Sequence, residues 1–375
     1  MTGGLLLAAA AVCLAFHLAT VALFLARPRW PNRATGAIGL PPLTLLRPIR
    51  GVDPFDAETL GSSFVQDYPD YEVVLCVDSE DDPAAALARR LIAARPGARA
   101  RLLVGASAIT GNPKLNNLAK GWQAAAHGWI CMADSNLLLP PGYLRSVVAA
   151  WDAGCGLVSC PPVGARPEGL AGRLECAFLN GNQARLQFAA DSLGLGFAQG
   201  KTLLWNRAML DAAGGIAALG RDLAEDVNAT KLVRARGLHV RLTPRPFAQP
   251  IGRRAVGEVW RRQLRWSRLR RAGFPAIFAL EILNGPLVPL AALGAGALLL
   301  GGAPAAPALA AFAALWYGAE ALLLRRSGWP SGPRDLAVLP IRDLLLPVIW
   351  VASFLGGDIA WRGNAVAEGR GMSFR

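Results

Sequence analysis

The sequence predicts an α/β domain with a largely parallel sheet, carried on a membrane by apolar and interfacial helices at both of its ends. Three observations carry this expectation. Between residues 41 and 250, short apolar strands alternate with helical patterns, which implies a mostly parallel sheet covered on both faces. Ahead of that stretch, Leu5 to Ala26 is uncharged and apolar, long enough for the roughly 20 residues that a bilayer crossing needs. Behind it, an arginine- and tryptophan-rich segment leads into three further apolar runs. Hydrophobic residues make up 53% of the chain and charged residues only 17%, against about 25% charged in an ordinary soluble domain.

Taken in order, the first apolar run lacks a small-residue cleavage pattern before Arg27, Arg29 and Arg33, so it reads as an uncleaved anchor. Those arginines, with Arg47 and Arg50, place the following domain on the cytoplasmic side. Residues 1–40 are thus anchor and basic linker. Residues 41–250 form the α/β domain, with strands at Leu43–Arg47, Glu72–Val77, Arg101–Val104, Trp129–Ala133 and Gly156–Ser159, and a helix over Pro83–Ala94. Residues 251–273 are expected as an interfacial helix, because Arg253 to Arg271 interleaves arginines with Trp260, Leu264, Trp266 and Leu269. Residues 274–375 carry the runs Phe274–Leu300, Ala303–Leu324 and Leu336–Leu355 and a tail. Gly301 and Gly302 suggest a hairpin between the first two. Arg342 and Asp343 interrupt the third, which leaves spanning, breaking and re-entry all open.

Composition also excludes functions. The net charge of +13 is almost entirely arginine, but no periodic basic helix, zinc finger or RNA-binding motif accompanies it, so nucleic acid is not an expected partner. Anionic headgroups and a diphosphate suit the charge better. Six cysteines form no CxxC pair and three histidines are dispersed, which leaves carboxylates as the ligands for any metal. No Ser-His or Cys-His arrangement suggests a covalent nucleophile.

Four blocks carry candidate chemistry. Asp78-Ser79-Glu80-Asp81-Asp82 follows an apolar strand; its carboxylates either accept hydrogen bonds from a uracil or ribose, or cap the next helix. Asp134-Ser135-Asn136 also ends a strand. Asp134 suits a Mg2+ or Mn2+ bridging two phosphates, with Asn136 as a second ligand or a helix cap. Asp222 to Val227 heads a helix, where Glu225 and Asp226 serve the dipole or supply a general base. Arg262 and Arg265 share a helix face at i and i+3, fitting a diphosphate or a membrane surface, and Trp266 follows them. In addition, Lys114 with Asn112, Asn116 and Asn117 sits at a helix start that can hold phosphate or ribose, and Gly194 to Lys201 reads as a flexible loop able to close over a sugar.

In this order, D, D, ED and R/Q-x-x-R-W, the blocks resemble the inverting membrane glycosyltransferases of A-type fold, and within them the ceramide glucosyltransferases. Leu46 to Pro54, Asp67 to Val73, Cys76-Val77, Asn112 to Leu118, Ala224-Glu225-Asp226 and Arg262 to Trp266 carry the likeness, which covers nearly the whole chain. It implies a Rossmann-like A-type domain and transfer of glucose from UDP-glucose, with Mg2+ or Mn2+, to the primary hydroxyl of ceramide, inverting to a β-glucoside. By position it makes Asp226 the base with Glu225 beside it. Asp78 or Asp81, Lys114, Asn117, Arg262 and Arg265 become donor-binding residues, Asp134 and Asn136 the metal residues, and Trp266 and Gln183 acceptor-side residues. The sequence departs from the pattern in having Ser79 where the first aspartate usually stands, and Gln183 where animal members have histidine.

The competing readings are another UDP-sugar (galactose, glucuronic acid or N-acetylglucosamine), a hopanoid polyol as acceptor, a processive synthase, an inactive membrane adaptor, and a transporter using Glu281, Asn284 and Glu320. High Ala and Arg with few Lys point to a GC-rich bacterial genome and an inner membrane.

Overall fold

The computed structural model describes residues 1–28, 38–221, 224–301, 305–355, 359–361 and 364–366. Arg29 and Arg33 of the basic linker, Asp222 and Leu223 of the third block, and Gly302 of the expected turn lie outside them. The chain divides into two compact units: one collects Arg27–Val163 and Ala190–Pro250, the other Met1–Ala26, Gly164–Ala189 and Ile251–Gly357. Residues 164–189, expected inside a continuous 41–250 domain, therefore fall with the apolar unit.

The first unit is built on strands β1 (Leu43–Pro48), β2 (Tyr71–Val77), β3 (Ala100–Val104), β4 (Trp129–Ala133) and β5 (Cys155–Ser159). After β6 (Pro162–Glu168) come β7 (Thr202–Asn206), β8 (His239–Leu242) and β9 (Phe247–Arg253). Seven of these form one sheet in the order β3-β2-β1-β4-β7-β5-β8. All its pairings are parallel except those of β7, which runs antiparallel to both β4 and β5. β6 and β9 pair separately, as do β10 (Ile359–Trp361) and β11 (Asn364–Val366).

The strands form where β-branched and leucine side chains can be buried on both faces, as in β2 from Glu72 to Val77. The helices between them start on side-chain caps. Asp82 accepts from the Ala84 amide ahead of the helix Pro83–Ala93, and Asn112 accepts from the Lys114 amide ahead of Pro113–Ala124, each with proline at the first turn. Leu46, Val74, Leu118, Trp122, Ile130 and Trp205 fill the core between sheet and helices, leaving the carboxyl ends of the strands to carry polar residues.

The second unit is helical. Thr2–Ala26 and Ala305–Ser327 are long and apolar enough to cross a membrane. The run expected over 274–300 is not one straight helix: Pro275–Leu283 and Leu287–Leu299 are bent by 58° across Asn284-Gly285-Pro286. The third run reduces to a helix over Leu339–Ala352 with Pro347 inside it. Arg342 and Asp343 on that helix are buried, and Arg342 pairs with Glu320 of Ala305–Ser327 as well as with Asp343. Glu320 thus pairs helices, while Glu281 meets Arg270 at 2.7 Å. The helix expected at the membrane interface spans Val256–Gly273.

Candidate active site

The site begins with the register between β4 and β7. Ala133 pairs with Thr202, so the residue leaving β4 faces the residue entering β7, and the Asp134 amide donates to the Lys201 carbonyl at 3.1 Å. The two side chains meet as well, with Asp134 Oδ2 2.8 Å from Lys201 Nζ. Asp134 Oδ1 is 2.6 Å from Lys114 Nζ. From the first turn of its helix, Lys114 also donates to Gly200 O and to Glu225 Oε1, each at 2.7 Å. Three acceptors match the three hydrogens of an ammonium group, so Lys114, expected to hold the donor, is a strut joining β4, the loop before β7 and the helix Glu225–Arg234.

Asp226 is placed by main-chain donors: Gly200 N–H to Oδ2 at 3.1 Å and Val227 N–H to Oδ1 at 2.9 Å. Glu225 is held by Lys114 and by Asn112 Nδ2, the latter at 3.0 Å. A Cβ at Gly200 would lie 2.6 Å from Glu225 Oε1, so any other residue there would push this carboxylate from its place. The loop expected to be flexible is tied down at this end. The amides of Ala198, Gln199, Gly200 and Lys201 donate in turn to Thr230 Oγ1, Ser159 Oγ, Asp226 Oδ2 and Gln199 Oε1.

The electrostatics divide the carboxylates. Burial pushes Asp134 up, but Lys114 and Lys201 outweigh it and hold this carboxyl well below the usual carboxylate range. The two acids likewise hold Lys114 above its ordinary value against the effect of burial. Asp226 is pushed up to about 6, first by burial and then by the like charge of Glu225. A carboxylate poised in that range suits a general base.

No group of three or more His, Cys, Asp or Glu residues is placed to hold a metal among the described residues. Asp134 and Asn136 nevertheless converge on one cation: Lys201 Nζ is 2.8 Å from Asp134 Oδ2 and 2.9 Å from Asn136 Oδ1. Two hard oxygens at a shared cationic position fit a Mg2+ or Mn2+ that takes its other ligands from phosphates and water.

Arg47, counted from the sequence among the arginines that orient the domain and placed at the end of the first strand, has a structural role there. Arg47 is fully buried and donates from NH1 to Thr59 O at 2.6 Å and Ser63 Oγ at 2.7 Å. From NH2 it donates to the carbonyls of Asp134, Ser135 and Leu137 at 2.6, 3.0 and 2.9 Å. A guanidinium with five donors is one of few groups able to hold so many carbonyls in a turn, so Arg47 sets the backbone that presents Asp134 and Asn136.

Asp78 closes β2 in a second place. Burial raises it, against the nearby positive charges of Lys120 and Arg50, and its Oδ1 is buried without a hydrogen-bond partner. Asp81 is exposed on the following turn, and Asp82 holds the Gly51 amide besides capping its helix. Asn117, expected at the donor, is spent inside the protein: Nδ2 donates to Cys76 O at 2.9 Å and Ile49 O at 3.3 Å, and Oδ1 accepts from Lys120.

The arginine block belongs to the other unit. Arg262 pairs with Glu175, whose side chain is only 1% exposed, and Arg265 follows one turn later on the same helix. Trp266 packs against Cys176, Leu179 and Ile251. Gln183 lies in a π-helical turn, Phe178–Ala184, and its Nε2 donates to Gln263 Oε1 at 2.9 Å. Glu175 was not singled out from the sequence, although a lone acid in an apolar helical stretch is a signal for a buried partner.

The sequence model of glycosyl transferase family 21 matches residues 5–373. Ceramide glucosyltransferase 1 of Caenorhabditis elegans is 25% identical over 87% of this chain and 71% of its own length, and ceramide glucosyltransferase 3 of the same organism 24% identical over 92% and 76%. Ceramide glucosyltransferase of Komagataella phaffii is 43% identical over 29% of this chain and 22% of its own length. Among solved structures, the mannosyltransferase PcManGT from Pyrobaculum calidifontis, in complex with GDP-Man and Mn2+, superposes with a TM-score of 0.57 at 20% identity, covering 92% of this chain and 98% of that one.

Proposed function

The chain belongs to glycosyl transferase family 21, and from that premise we propose that it transfers glucose from UDP-glucose to the primary hydroxyl of ceramide, inverting the anomeric centre to a β-glucoside. Family and fold make it a nucleotide-sugar glycosyltransferase; the donor, the acceptor and a cytoplasmic, bacterial inner-membrane setting are the finer reading. The observation that carries it is Asp226, raised to about 6 beside Glu225 and fixed by two main-chain amides. A single displacement needs one such base to take the acceptor's proton as its oxygen attacks, and it needs no enzyme nucleophile.

In this reading Asp78, with its unpartnered buried oxygen, receives the nucleoside, and Lys114 and Asn117 position the elements around it. When bound by Asp134 and Asn136, a Mg2+ or Mn2+ supplies charge neutralisation at the diphosphate. Arg47 holds the turn that presents these two residues, and Lys114 keeps Asp134 ionised. Glu225 raises Asp226 by its charge. Arg265 serves the diphosphate and Trp266 and Gln183 the acceptor, as the family resemblance implies, with Arg262 positioned by Glu175.

The test is a panel of donors and acceptors in detergent with Mg2+ or Mn2+, run on wild type and Asp226→Asn. UDP-glucose and ceramide are expected to give the highest rate and a β-linked product, and Asp226→Asn to lose about 10²–10⁴-fold, the span of general base catalysis. A higher rate with another UDP-sugar or with a hopanoid polyol rejects the specific substrates. Equal inactivity of both proteins across the panel rejects the enzyme in favour of an adaptor.

A further inference from the structure

The two ammonium groups on Asp134 are held in different ways. Lys114 is held by Asp134, Gly200 O and Glu225 at once, so moving it would undo the junction of strand, loop and helix. Lys201 is built differently. Its main chain is fixed at both polar groups, the amide on Gln199 Oε1 and the carbonyl under the Asp134 amide, while its four-carbon side chain reaches back to Asp134 Oδ2 at 2.8 Å and Asn136 Oδ1 at 2.9 Å. A lysine ammonium is a compact charge on a flexible stem and can be withdrawn without disturbing its backbone.

We propose that Lys201 is the resident cation of the Asp134–Asn136 position, which a divalent ion arriving with a diphosphate must displace. Mg2+ sits about 2.0–2.1 Å from its oxygens, so an ion bound to Asp134 Oδ2 and Asn136 Oδ1 would overlap the ammonium nitrogen. Like charges in a half-buried site add repulsion to the steric exclusion. The empty site then carries its own counter-charge, and the metal binds weakly until a diphosphate offers the displaced ammonium a new partner. The proposal rests on the nucleotide-sugar reading only in expecting that diphosphate; the competition itself involves neither sugar nor lipid.

The experiment is a Mn2+ titration of the purified full-length protein, followed by electron paramagnetic resonance, with and without UDP. Without UDP, Lys201→Met is expected to bind Mn2+ about tenfold or more tightly than wild type, a factor equal to about 1.4 kcal/mol. Lys201→Arg, which keeps a competing charge, is expected to stay within about threefold of wild type on the same scale, and Asp134→Asn to lose the site. UDP should tighten Mn2+ binding more in wild type than in Lys201→Met. Mn2+ affinity unchanged or weaker in Lys201→Met, or no Mn2+ bound by any of the proteins, overturns the proposal. A tenfold gain without UDP together with no response to UDP upholds the competition and counts against the nucleotide-sugar reading instead.

Discussion

Two clusters of buried charge, one in each unit, show how differently similar groups can be used. In the α/β unit, Asp134, Glu225 and Asp226 face Lys114 and Lys201 at strand and loop ends, with the Asp134 side chain 22% exposed. In the helical unit, Glu320, Arg342 and Asp343 sit on two helices with side chains no more than 3% exposed. The second cluster is closed even to a methyl group: a Cβ on Gly181 would fall 1.7 Å from Glu320 Oε1. Only the first is open on one side, with one of its cations on a withdrawable stem. A closed cluster fastens helices together, whereas an open one can exchange a partner.

The sharpest way to break this comparison is to remove one charge from the closed cluster. Glu320→Ala breaks one of the two buried ion pairs of Arg342 and leaves it with Asp343, which should cost about 3–5 kcal/mol, read from denaturant or thermal unfolding in detergent. Replacing Glu320, Arg342 and Asp343 together by Leu, Met and Leu should recover most of that loss, because both members of each ion pair are removed together; failure to recover would give the cluster more than a fastening role.

The same operation on the open cluster should act on rate. Lys114→Met unties Asp134 from Glu225, and displacement of a reacting geometry by about 1 Å costs on the order of 10²-fold, measured as turnover on a protein whose melting temperature confirms folding. A fall in stability with turnover preserved would place Lys114 with the closed kind.

The smallest expected effect is that of pH. Asp226 must be ionised to accept a proton, and its value is raised to about 6. Turnover should therefore fall about tenfold per unit as pH drops below 6 and level off above it. A profile that stays flat down to pH 5 would remove Asp226 from the proton transfer.

Much of this architecture is legible in the sequence. The strand over Trp129–Ala133 and most of the other parallel strands follow from short apolar runs closed by polar turns, and the first two acidic blocks stand where strands end. What is not legible depends on distant pairing. Nothing near Thr202 announces that β7 turns antiparallel and sets Lys201 on Asp134. Arg47 looks like one more basic residue after an anchor, because its five acceptors come from residues 59 to 137. The affiliation of 164–189 with the helical unit is hidden for the same reason. The bend between Pro275–Leu283 and Leu287–Leu299 is a different kind of miss: Asn284-Gly285-Pro286 is a turn signal in plain view.

The antiparallel docking of β7 also divides the preceding loop by how much change it tolerates. Ahead of Ala198, insertions and deletions would leave the Lys201–Asp134 juxtaposition alone, because the strand pairs from Thr202–Ala133 to Asn206–Trp129 fix it independently of loop length. A one-residue deletion within β7 that slips its register would turn alternate side chains to the opposite face of the sheet. For this juxtaposition, a change of length is neutral ahead of Ala198 and disruptive from there to Asn206.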